Sequence, residues 1–170
     1  MLSPEASAKI INELSKDRVC YIMLIGVMGS GKTEYVDKFF PNYNVVNMGD
    51  VREELSEKSQ VDNSMLYNVT VEEVKNRCID ILNKNESVIY DASNCYPKVR
   101  SSHLRSMESH CDLKIGIILN RSLVSCFNNL KHTYIPTYKI ENMYLNLKKH
   151  APNMIDGFDI LINVDMEEEL

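Results

Sequence analysis

No apolar run in this chain approaches the roughly 20 residues that a helix needs to cross a bilayer. Nor does Met1-Leu2-Ser3-Pro4-Glu5-Ala6 carry a basic stretch leading into an apolar core. The expectation is a soluble, intracellular, cytoplasmic protein with no membrane partner. The five cysteines, Cys20, Cys78, Cys95, Cys111 and Cys126, lack any C-x-x-C spacing and are odd in number, which argues against a disulfide framework or a zinc site. Three of them fall in apolar stretches, where a reduced thiol packs as a small hydrophobe, in keeping with a reducing compartment. Positive charge is not in excess. The formal net charge is -5, so composition gives no general reason to expect nucleic-acid binding. Repeats, linkers and low-complexity blocks are also lacking. A length of 170 residues suffices for one well-buried domain and falls short of two ordinary ones, so residues 1–170 read as a single domain.

Charge is unevenly spread. Between Cys95 and His150 stand Lys98, Arg100, Arg105, Lys114, Arg121, Lys131, Lys139, Lys148 and Lys149, against Glu108, Asp112 and Glu141, and all four histidines lie there too. This basic zone suits an anionic substrate; a set of solvated helix faces gives the same pattern. Lys98, Arg105, Lys148 and Lys149 taken singly read as solvated surface.

The strongest motif is Gly26-Val27-Met28-Gly29-Ser30-Gly31-Lys32-Thr33, which fits G-x-x-x-x-G-K-[ST]. Before it, Val19–Ile25 is apolar and β-rich, as a central strand covered on both faces should be. After it, Glu34–Phe40 continues as a helix that Pro41 stops. In such a loop the glycines free the backbone so that successive N–H groups surround phosphate oxygens. Gly26, Gly29, Ser30 and Gly31 would form that cradle, Lys32 would reach the β- and γ-phosphates, and the Thr33 hydroxyl would take a position on Mg²⁺. The expected cofactors are therefore ATP or another nucleoside triphosphate, with Mg²⁺.

Around the loop the chain alternates between strands and helices. Ser3-Pro4 starts an N-terminal helix within residues 1–18. Asn42–Met48 reads as a second strand ending in Gly49-Asp50-Val51-Arg52, and Glu53–Lys58 as a helix. A polar break over Ser59–Asn63 precedes a long helix, capped by Asn63 or Ser64 and running to about Asn85. Ser87-Val88-Ile89-Tyr90-Asp91 is a third strand ending in an acid, the Walker-B form, with Asp91 beside the cation or its water shell. Pro97–Ser109 is a helix, Leu113–Leu119 a strand, and Leu123–Lys131 a helix. Pro136 then starts another helix, and Phe158–Val164 closes the sheet before an acidic tail at Glu167-Glu168-Glu169. This order predicts an α/β fold with a five-stranded parallel sheet, right-handed crossovers and helices on both faces, three layers in all. Ligand would lie beyond the carboxyl ends of the strands, where Asp50 and Arg52 fall.

Gly26–Thr33, Gly49-Asp50-Val51-Arg52, Asp91-Ala92-Ser93-Asn94 with Arg100 downstream, Ile135-Pro136 and Gly157-Phe158-Asp159 together resemble a P-loop kinase family. That family includes the 5′-hydroxyl polynucleotide kinases of bacteriophage type, and the resemblance runs from about Tyr21 to Val164. It implies a nucleoside-kinase-like P-loop fold and transfer of the γ-phosphoryl group of ATP to a hydroxyl; other members phosphorylate small molecules, so it fixes the chemistry better than the acceptor, for which a polynucleotide 5′-OH is the expectation. It implies a base at the first acid after the second strand, a position that aligns with Gly49 here, so that either Asp50 supplies the base from a shifted position or the site is impaired; it also implies that Arg52 contacts phosphate and that Asp91, Asn94 and Arg100 bind substrate. Residues 128–140 would form a lid. Two positions depart from the family pattern: the first acid of Asp-Asp-x-Arg is Gly49 here, and His132, with Lys131 beside it, stands where the lid arginine belongs. Lys131 and His132 are then the lid cations, although neither offers a planar guanidinium fork. Two other functions remain open: a kinase for a nucleotide or small metabolite, and a degenerate module that binds nucleotide without turnover. His103, His110 and His150 read as surface or packing residues. Tyr134 and Tyr138 bracket the lid, where they either stack on a base or pack the loop.

Overall fold

The computed structural model describes residues 1–58 and 63–167. Of the expected polar break, residues 59–62 lie outside this description, as do the side chain of Asn63 and the tail residues Glu168 and Glu169. Five strands, β1 (Cys20–Ile25), β2 (Asn44–Asn47), β3 (Val88–Asp91), β4 (Leu113–Asn120) and β5 (Ile160–Asp165), form one sheet in the order β2-β3-β1-β4-β5. Every pairing is parallel. β1 therefore runs through the middle, and all six of its residues are buried.

Alternation along β1 divides the core between the two faces of the sheet. Cys20, Ile22 and Leu24 join Ile89, Ile115 and Ile117 beneath α1 (Pro4–Leu14) and α2 (Lys32–Phe39), which contribute Ile11, Tyr35 and Val36. Tyr21, Met23 and Ile25 face the other way. They pack with Val51 of α3 (Met48–Lys58), Val74, Cys78 and Leu82 of α4 (Asn63–Leu82), and Leu104 and Met107 of α5 (Pro97–Met107). Full burial of one such side chain stabilises the fold by about 1.5–3 kcal/mol. A third, smaller cluster joins Val27 and Cys95 to Cys126 of α6 (Leu123–Leu130) and Ile140 of α7 (Thr137–Lys149), so these last helices cover the carboxyl ends of the strands.

Ser3 caps α1, its Oγ accepting from the Ala6 N–H at 3.2 Å. α5 begins at Pro97 and α7 one residue after Pro136. At α3 the sequence expectation needs correction. The helix begins at Met48 rather than Glu53, because the Asn47 side-chain oxygen accepts from the Gly49 and Asp50 amides at 2.7 and 3.2 Å. A side-chain cap of this kind satisfies donors that helix geometry leaves open and lets the helix start directly from the strand. Asp50 and Arg52 consequently sit on the opening turns of a helix and not on a free loop. All five cysteines are free thiols.

Candidate functional site

The chain leaves β1 at Gly26, whose N–H donates to the Ser93 carbonyl (3.0 Å), tying the start of the loop to the turn after β3. Gly29 and Gly31 have φ of +80° and +90°, where a side chain strains the backbone. Gly29 also has no room for one. A methyl there would come 2.5 Å from the Cys126 carbonyl oxygen and 3.0 Å from the Leu130 side chain. α6 thus lies directly on the loop, and Asn129 Nδ2 donates to the Gly29 carbonyl at 2.9 Å. Ser30 is buried, its N–H on the Val27 carbonyl (3.2 Å) and its Oγ unpartnered.

Lys32 opens α2. Its Nζ donates to the Gly26 and Val27 carbonyls at 3.0 and 2.9 Å, so the ammonium is folded over its own loop. Burial lowers its pKa from the ordinary lysine value, and the Asp91 carboxylate works in the opposite direction. The next side chain reaches across the sheet: Thr33 Oγ1 donates to Asp91 Oδ2 at 2.9 Å. Asp91 is the last residue of β3 and is buried. Parallel register sets Asn47 opposite it, and Asn47 Nδ2 donates to the same carboxylate oxygen at 2.8 Å. Asn47 therefore bonds Asp91 with its nitrogen and the first turn of α3 with its oxygen. One side chain links the acid of β3 to the backbone of Asp50. Asp50 and Arg52 themselves are exposed.

Asn94 and Arg100 are brought together, but inside the fold. Asn94 holds φ at +49°, and its Nδ2 donates to the Leu24 and Ala92 carbonyls at 2.7 and 3.3 Å, pinning the β3 turn to the end of β1. Arg100 is fully buried. Its Nε donates to Asp156 Oδ2 (2.7 Å), one terminal nitrogen to the Asn94 carbonyl (3.2 Å) and the other to the His150 carbonyl (3.0 Å). Asp156 in turn belongs to a capping box with Asn153. Each of the three Arg100 nitrogens thus donates inside the fold, and none of the side chain is exposed. Lys131 and His132 stand exposed on the turn after α6, Tyr134 is exposed beyond it and Tyr138 is exposed on the first turn of α7; contact with the loop is made by α6 through Asn129.

Sequence reasoning overlooked Asn47 and Asn129, and took Arg121 only as one member of the basic zone. An Asn at a strand-to-helix junction is a legible cap signal. Asn129 and Arg121 carry no motif, and only three-dimensional proximity marks them. Arg121 follows β4 and lines a cavity of about 610 Å³ together with Val27, Ser122, Tyr144, Asp165 and Glu167.

A five-stranded parallel sheet, a glycine-rich loop between its central strand and a helix, and a Thr–Asp pair at the mouth of that loop define a P-loop fold of the kinase type. The sequence matches the AAA domain family over residues 22–122, more than half of the chain, and the protein belongs to that family. Among solved structures, a chain of the Pnkp1/Rnl/Hen1 RNA repair complex aligns with a TM-score of 0.70 at 18% identity, covering 80% of this chain and 47% of that one. A gluconokinase from Sinorhizobium meliloti 1021 aligns at 0.59 with 16% identity, covering 88% and 83%. A second structure of the Pnkp1/Rnl/Hen1 complex gives 0.57 at 17% identity, covering 71% and 41%. The likeness at these identities is one of fold. The protein spans about half the length of the first of these chains. Comparison with curated proteins gives no match. Among the described residues no helix is long and apolar enough to cross a membrane.

Proposed function

We propose that this protein, as one catalytic unit over residues 1–170, transfers the γ-phosphoryl group of ATP to a hydroxyl, with a polynucleotide 5′-OH as the acceptor. The observation that carries this reading is the hydrogen-bonded series Thr33–Asp91–Asn47–Asp50. It couples the mouth of the phosphate loop to an exposed acid on α3. A phosphotransferase needs this juxtaposition, because its catalysis is mostly positioning and charge stabilisation.

In this reading the amides of Gly26, Gly29, Ser30 and Gly31 hold the phosphates at the N-terminus of α2, where the helix dipole favours an anion. Lys32 exchanges the Gly26 and Val27 carbonyls for phosphate oxygens. The Thr33 hydroxyl and the Asp91 carboxylate, hard oxygen donors of the kind Mg²⁺ takes with retained waters, would hold that ion, which neutralises phosphate charge when bound. Asp50 orients the acceptor hydroxyl and takes its proton as the new O–P bond forms and the bond to the β-phosphate oxygen breaks, releasing ADP. Arg52 pairs with acceptor phosphate. Lys131 and His132, on the 128–140 lid, neutralise developing charge on closure. Asn94 and Arg100 act as positioning residues that hold the β3 turn in place, given their internal bonds.

The acceptor assignment is supported by the likeness to a chain of an RNA repair complex, by the Asp91-Ala92-Ser93-Asn94 turn and by the basic zone after Cys95. The near full-length alignment with a gluconokinase favours a small-metabolite acceptor as the second reading. Incubation with γ-labelled ATP and a panel of 5′-OH RNA, 5′-OH DNA, nucleosides and sugar acids tests both. Label on the oligonucleotides supports the first, and label restricted to monomers removes it. If Lys32→Ala and Asp50→Ala leave every measurable transfer rate unchanged, the chain is a nucleotide-binding module without turnover.

A further inference from the structure

Arg121 is the first residue beyond Asn120, the end of β4, and no motif absorbs it. β4 pairs directly with β1, so the two strands deliver their carboxyl ends side by side, and Arg121 emerges next to the phosphate loop. Its terminal nitrogen lies 3.3 Å from the place a Gly31 Cβ would occupy. Gly31 is the N-cap of α2. The guanidinium is therefore laid against the backbone where the helix dipole is most positive, with Lys32 as the neighbouring residue.

A cation beside a helix N-terminus is repelled by the helix dipole. The acids nearby offset this only in part, Glu167 feeling the Arg121 charge without pairing with it. Glu167 caps α6, accepting from the Ser122 amide and, at 2.8 Å, from the Ser125 hydroxyl. Glu34 projects from α2, one oxygen 3.4 Å from the same Gly31 Cβ position, yet neither it nor Glu167 forms an ion pair with Arg121 among the described residues. Arg121 Nε is buried without a hydrogen-bond partner. A buried charged donor left unpaired is unfavourable, and an arriving anion removes that penalty together with the repulsion.

We propose that Arg121 is a phosphate-binding residue. Its guanidinium clamps the phosphate chain of the bound nucleotide beside Gly31, so that β4 supplies the fork-shaped cation that Lys131 and His132 cannot offer. The inference rests on the reading of residues 26–33 as the nucleotide site.

Calorimetric titration of the whole chain with ADP and with ATP, in Mg²⁺, tests it with wild type, Arg121→Gln, Arg121→Lys and, as a net-charge control, Arg105→Gln on the exposed face of α5. Arg121→Gln is expected to raise both dissociation constants by about tenfold or more, the loss of one charge-assisted hydrogen bond. Arg121→Lys is expected to fall between it and wild type, and Arg105→Gln to match wild type. Without nucleotide, the melting temperature should not fall in Arg121→Gln, which removes the unpaired charge, and should match wild type in Arg105→Gln. Affinity in Arg121→Gln within twofold of wild type overturns the proposal and leaves the nucleotide site standing, and an equal loss in Arg105→Gln overturns it in the same way. If Arg121→Gln does not fold, Arg121→Lys decides, and wild-type affinity in that variant counts against the proposal. Absence of binding by wild type removes the nucleotide reading itself.

Discussion

Arg100 shows how far one side chain can be from its apparent role. Its spacing after Asp91-Ala92-Ser93-Asn94 resembles that of a ligand-binding arginine, yet it is sealed in the fold against Asp156. A linear pattern gives the position of a residue but not the direction of a long side chain, and here three carbonyl or carboxylate acceptors had already closed around it. Removing one member of a buried ion pair leaves the other charge stranded, at a cost of about 3–5 kcal/mol. Arg100→Ala should therefore lower the urea midpoint sharply, while Arg52→Ala, at an exposed position, should leave it nearly unchanged. Equal midpoints in the two variants would contradict this assignment. Asn47→Ala makes a related case. It removes the cap of α3, worth about 1 kcal/mol, and one of the two donors to Asp91. Its expected signature is a modest stability loss with a much larger fall in phosphotransfer, read from melting curves and single-turnover rates on the same preparation.

At the scale of elements, strands were the most legible. β1, β3 and β4 are near-continuous apolar runs because each is covered on both faces, and each was readable to within a residue or so. Boundaries set by a single side chain were not. α3 starts early because Asn47 bonds two amides; hydrophobic spacing does not register that, and the cap residue itself was the one signal that could have been read. The docking of α6 on the phosphate loop was equally hidden, since it depends on the absence of a Cβ at Gly29 opposite the Cys126 carbonyl. Gly29→Ala adds that Cβ at a φ of +80°, combining backbone strain of about 1–3 kcal/mol with a collision against main chain. The expected outcome is displacement of α6 and loss of nucleotide affinity well beyond that of Ser30→Ala. Nucleotide titration of both variants checks the order, and similar affinities would argue that the helix does not shape the loop.

For the whole molecule, acid should act through His103. It is fully buried, stacks on Tyr90 with ring centroids 4.6 Å apart, and has no partner for either ring nitrogen. Burial, with Lys75 adding to it and Glu72 opposing, pushes its pKa down to about 4. Between the ordinary histidine value near 6.5 and about 4, the unfolded chain takes up a proton that the folded state refuses. Stability should decline as pH falls through that window, by roughly 3 kcal/mol in total, and this contribution should level off below it. His103→Phe keeps an aromatic ring against Tyr90 and removes the titration, so denaturation midpoints at pH 7, 5.5 and 4.5 should fall less steeply in the variant. Parallel slopes would assign the acid sensitivity to other groups.

The bond from Arg100 to the His150 carbonyl has a mechanical consequence. It anchors the trailing end of α7, while the leading end grows from the exposed turn that carries Lys131 and His132. A helix of 13 residues is a lever roughly 20 Å long, and pinning one tip makes residue 150 the fulcrum. A few degrees of rotation there would become an ångström or more of travel at Tyr138, so the buried Arg100 guanidinium limits how far that end of the helix can depart from the strand ends.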